Sequence, residues 1–69
     1  MNAILIEINT LPKGTWFKLN DLLSFKDRDI GEKKALGREF SGQVKSGLIS
    51  TVAFLGKHAY HHHAVYVKL

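Results

Sequence analysis

Four residues in the middle of this chain have types and spacing suited to holding an anion: Lys34, Arg38, Ser41 and Lys45. On a helix stepped at about 100° per residue from Leu36, they fall between about 140° and 200°. Leu36, Phe40 and Val44 fall at about 0°, 40° and 80°, so the cations lie opposite an apolar stripe. Glu32 and Glu39 are thrown to about 320° and 300°, outside that arc. Lysine and arginine neutralise phosphates and a serine hydroxyl hydrogen-bonds them, so an acid-free arc of this kind suits a nucleic-acid backbone. Gly42, near 240°, borders the arc and lets a backbone or phosphate approach closely. The bland alternative is that any amphipathic helix needs a solvated face, which lysine fills by default.

A second group lies in Gly56-Lys57-His58-Ala59-Tyr60-His61-His62-His63. Lys57 and His58 suit phosphate, the imidazoles when protonated, and Tyr60 suits stacking on a base. His61 and His63 share a strand face, but a metal site needs a third ligand and a supporting shell. A polar loop is the simpler account, and no metal or other cofactor is expected.

Catalysis has little support. Asp27, Asp29 and Glu32 cluster where acids satisfy a helix start. The serines and histidines show no nucleophile-and-base spacing, and the glycines no phosphate loop, since no Gly-Lys-Ser/Thr follows. The expectation is a protein that is not an enzyme.

The elements that must position these groups follow from periodicity and punctuation. Ile4, Ile8 and Leu11 keep a helical rhythm with Asn2 as a cap, although Ile4, Ile6 and Ile8 also alternate as a strand would. Helix is preferred, closed by Pro12 and Gly14. Thr15-Trp16-Phe17-Lys18-Leu19 reads as a short strand; Trp16 and Phe17 are most simply both core, or one core and one partly exposed, with Trp16 the better candidate for a partner contact. Asn20 then caps a short helix containing Leu22, Leu23 and Phe25. Residues 32–46 form the long helix that carries the cations. After Gly47, residues 48–54 are rich in β-branched side chains, and Val65, Val67 and Leu69 alternate with Tyr66 and Lys68. These two strands pair as a hairpin around a loop at roughly residues 56–63. The expected fold is α+β, a winged helix-turn-helix with three helices, a short strand and a C-terminal hairpin wing.

Length and charge bound the rest. The 69 residues make a single domain over 1–69, and 45% apolar content is enough for one economical core. Without cysteine there is neither a disulfide framework nor a thiolate metal site. Ten Lys+Arg against six Asp+Glu give +4, and the whole excess lies in residues 24–69. That sign favours an anionic partner and excludes mimicry of DNA. The N-terminus has neither the positive region nor the apolar run of a signal peptide, and no stretch is long enough to span a membrane. The expected location is cytoplasmic, with no membrane partner. Ile4, Leu5 and Ile6 leave apolar surface for a possible homodimer.

Three segments carry a family resemblance: residues 11–22 (Leu-Pro-Lys-Gly-Thr-Trp-Phe-Lys-Leu-Asn-Asp-Leu), 36–40 (Leu-Gly-Arg-Glu-Phe) and 44–49 (Val-Lys-Ser-Gly-Leu-Ile), with Gly56-Lys57 and Tyr66 closing the pattern. The chain resembles a small bacterial domain family of unknown function found on phages and mobile elements. It departs from that family in Ser24-Phe25-Lys26-Asp27-Arg28-Asp29 and in its His-rich loop. The resemblance implies a winged helix, and one member looks like the single-stranded-DNA-binding companion of a cassette-encoded polymerase. The leading expectation is a small DNA-binding protein using Lys34, Arg38, Ser41 and Lys45, with Lys57, His58 and Tyr60 in support. Duplex and single strand stay open. The alternative is a protein-interaction module on the same fold, an inhibitor or replication accessory with an acidic partner.

Overall fold

The computed structural model describes residues 1–57 and 63–69. Among them the chain is α+β, with three α-helices and one three-stranded antiparallel sheet. The elements are α1 (Asn2–Asn9), β1 (Trp16–Phe17), a 3-10 turn (Leu19–Asp21), α2 (Leu23–Lys26), α3 (Ile30–Lys45), β2 (Val52–Lys57) and β3 (Ala64–Lys68).

Ile4 and Ile8, four residues apart, bury the same side of α1 in the core, which decides for helix over strand. Asn2 lies inside the first turn rather than capping it; Met1 holds the cap position and no side chain bonds there. Because Ile4 belongs to the buried stripe and Leu5 is half-buried, only Ile6 of the expected apolar patch is exposed. Thr10 closes the helix, its hydroxyl donating to the Glu7 carbonyl at 2.6 Å. Gly14, at φ +86°, turns the chain, and its N–H donates to Lys68 O.

The strand expected over residues 15–19 is reduced to Trp16–Phe17. Asp21 accepts the Lys18 N–H at 2.9 Å and winds the chain into the 3-10 turn. Asn20 lies within that turn, so it does not cap α2. Leu22 stands at the α2 N-terminus, and the carboxylate that satisfies its first amides comes from Glu7.

Helix α3 starts two residues before the expected boundary because Asp29 caps it, Oδ1 accepting the Glu32 N–H at 2.8 Å. Its end is a Schellman closure at Gly47, φ +85°: Gly47 N–H donates to Val44 O and Leu48 N–H to Gln43 O. Ile49 N–H also reaches Gln43 O, so the backbone expected to start a strand at residue 48 completes the helix instead. Strand β2 therefore begins only at Val52.

The sheet order is β1-β3-β2, with Phe17 and Phe54 both opposite Tyr66. Phe17 stacks on Tyr66 at 5.8 Å between centroids, and Phe54 lies tilted at 5.7 Å. Phe40 of α3 meets the same ring edge-on at 4.8 Å. Tyr66 and Phe40 are thus the hub joining sheet and helix, at 1% and 0% exposure. A bulge at Leu55 shifts the β2–β3 register, with Gly56 beyond it at φ +128°. No helix among the described residues is long and apolar enough to cross a membrane.

Candidate functional site

The long helix and the sheet do not close completely on each other. Between them runs a groove of about 550 Å³, a size typical of ligand sites. Helix α3 provides one wall through Ile30, Lys33, Lys34, Gly37, Ser41 and Lys45. Lys18, Leu19, Asn20 and Phe25 close one end, and Lys57, His63, Ala64 and Tyr66 come from the hairpin. Five lysines line it, Lys18, Lys33, Lys34, Lys45 and Lys57, and no aspartate or glutamate is among the described lining residues.

The floor is apolar and the rim basic. Phe25 and Tyr66 are buried below, while Lys33 and Lys45 are seated over aromatic rings. Lys33 Nζ lies 5.8 Å from the Phe25 centroid and donates to Asn20 Oδ1 at 2.8 Å. Lys45 Nζ lies 4.8 Å above Phe54. Cation–π contacts of this kind are worth about 0.5–1 kcal/mol at exposed sites, enough to bias where a flexible ammonium sits. Unpaired like charges along concave, partly apolar walls concentrate the field and draw in anions.

Ser41 is half-buried and lines the groove beside Tyr66. Burial pushes the Tyr66 hydroxyl above its ordinary value of 10.0, and the neighbouring Ser41 side chain partly offsets that rise. Tyr66 therefore presents a neutral hydroxyl at the groove floor.

Of the residues singled out in the sequence, Lys34, Ser41, Lys45 and Lys57 are brought together here. Arg38 is exposed on α3 but does not line the groove, and neither does Gly42. The site lies beside the core stripe of α3, where the hairpin comes near, rather than opposite it. For that reason Lys33 joins it although the helical wheel sets it near 60°, within the edge of the apolar arc. Lys18, the residue that follows β1, joins it as well. Neither was visible as a site residue, because only the crossing of α3 over the hairpin unites them. His58, Tyr60, His61 and His62 lie outside the described residues; His63 lines the groove. Among the described residues no group of three or more His, Cys, Asp or Glu is placed to hold a metal ion.

Residues 2–68 match the family model described as Domain of unknown function (DUF1413). No curated protein matches the chain, and no solved structure does.

Proposed function

The chain belongs to this family of unknown function, and from that premise we propose that it is a small winged-helix protein that binds DNA along the groove between α3 and the hairpin. The order helix, strand, helix, helix, strand, strand, with β3 central in the sheet, supports the winged-helix reading. The observation that carries the binding reading is the composition of the groove, five lysines without an acid. Its length follows α3 from Ile30 to Lys45, which suits a chain of phosphates better than one small anion.

Lysine is a point charge on a flexible stem, and it contacts phosphate without selecting a base. The groove therefore supports backbone binding of low sequence specificity. Any base reading falls to groups outside it, such as Arg38 on the exposed side of α3.

The test is a fluorescence anisotropy titration with matched single- and double-stranded oligonucleotides at several salt concentrations. Each neutralised phosphate adds about 0.7 (single strand) or 0.9 (duplex) to the slope of log affinity against log salt. If all five lysines engage, the slope lies near −3.5 to −4.5. Lys34→Glu with Lys45→Glu abolishes binding while the fold is kept. Affinity that ignores salt, or that survives both charge reversals, overturns the reading.

A further inference from the structure

A second groove, of about 440 Å³, lies on the opposite face of the sheet and shares Lys18 and Lys57 with the site above. Strand alternation places Phe17 in the core and turns Trp16 outward, where it is 71% exposed. Leu55, the extra residue of the β2 bulge, is 46% exposed in the same groove. Beside it Gly56 supplies bare backbone: a Cβ there would meet nothing within 4 Å. The result is a floor of indole, leucine and backbone that carries no side chain. Lys18 and Lys57 stand on its rim together with Asp21.

We propose that this groove docks a short extended segment of a partner protein that alternates apolar and acidic side chains. The apolar side chains lie against Trp16 and Leu55, and the carboxylates meet Lys18 and Lys57. Charge decides among the possible occupants. A second copy of this chain, itself carrying a net charge of +4, would bring lysine rims together. A phosphodiester chain would meet the Asp21 carboxylate, which is held in place by the Lys18 N–H at 2.9 Å. An acidic-apolar peptide has complementary charge for the lysines, apolar matter for the indole, and amide N–H donors for Asp21.

Trp16 is the one tryptophan of the sequence, so its emission reports on this groove alone. The full chain is titrated with a capped hexapeptide alternating aspartate and leucine, a matched peptide alternating lysine and leucine, and a single-stranded oligonucleotide. The expected result is a saturable blue shift with the acidic peptide and at least tenfold weaker binding of the basic one. Lys18→Glu combined with Lys57→Glu reverses that preference, an exchange that mere loss of structure would not produce. The proposal is overturned by equal response to both peptides, by a Trp16 response to the oligonucleotide alone, or by a blue shift on concentrating the chain without peptide.

Discussion

The Glu7 carboxylate of α1 accepts the backbone N–H of Ser24 at 2.7 Å and that of Leu23 at 2.8 Å, tying the first helix to the start of the second. A four-residue helix has no stable existence of its own, so this borrowed acceptor does for α2 what a local cap would do. The Ser24 amide first, then Leu23 and the nearby Lys26 charge, hold the Glu7 carboxyl below its ordinary value of 4.5. A carboxyl more acidic in the folded chain stabilises above its unfolded value, and that contribution fades as pH falls through the folded one. Glu7→Gln should cost about 1 kcal/mol at neutral pH, or roughly 4–8 °C in Tm. Melts recorded at successive pH values should show parent and variant converging below pH 4.5.

Phe40→Ala tests the hub. Its ring is fully buried and meets Tyr66 edge-on. Truncation should cost about 3–5 kcal/mol, a large part of what a domain of this size holds in total. Urea denaturation with a far-ultraviolet readout should show the midpoint collapse; a midpoint near the parent's contradicts the packing.

Tyr66 sets the alkaline limit. Its hydroxyl is raised above 10.0 by burial, so the folded chain holds that proton more tightly than the unfolded one. The stabilisation is complete below pH 10.0 and is lost as pH rises through the folded value. Tyr66→Phe keeps the rings stacked but removes the hydroxyl and its polar interactions at the groove floor, costing about 0.5–1.5 kcal/mol at neutral pH. Melts of parent and variant above pH 10.0 should draw together, because the phenylalanine has no proton to lose.

Lys34 and Arg38 separate the groove from the exposed side of α3. Lys34→Ala should flatten the salt slope of DNA binding by about 0.7 to 0.9, while Arg38→Ala leaves it at the parental value. Both positions are exposed, so neither change should move stability by more than about 0.5 kcal/mol. Equal effects on the slope would put the DNA across the outer side of the helix.

Lys18 and Lys57 line both grooves. An oligonucleotide in one and an acidic peptide in the other draw on the same two ammonium groups. Each should weaken the other by the same factor, as linkage requires. Peptide titrations at rising oligonucleotide concentration read that factor directly; affinities that ignore each other would show that the ridge is not shared.

The helical stripe of Ile4 and Ile8 and the α3 stripe through Phe40 and Val44 were legible in the chain, because each depends on local periodicity alone, whereas the full exposure of Trp16 was not. The start of β2 was not. Leu48 and Ile49 have strand-forming types, yet their amides are consumed by the α3 carbonyl at Gln43, a demand set by the helix end. The cap of α2 was hidden for a similar reason, since its acceptor lies sixteen residues away in Glu7. The groove was half legible: Lys34, Ser41, Lys45 and Lys57 could be named, whereas Lys18 and Lys33 needed the tertiary crossing to bring them in.

The distribution of charge around α3 has a consequence for how a ligand arrives. Lys33, Lys34 and Lys45 face the groove, while Glu32, paired with Arg28 at 3.1 Å, and Glu39 lie outside it. Stepped at about 100° per residue, the lysines fall between about 60° and 180° and the glutamates near 300° and 320°, on different sides of the helix. The helix is therefore polarised across its axis, and a nearby polyanion exerts a torque as well as an attraction. Within a Debye length, about 8 Å at physiological salt, that torque rotates the small molecule groove-first before any atoms touch. The orientation search is shortened, so added salt should slow association far more than it hastens release.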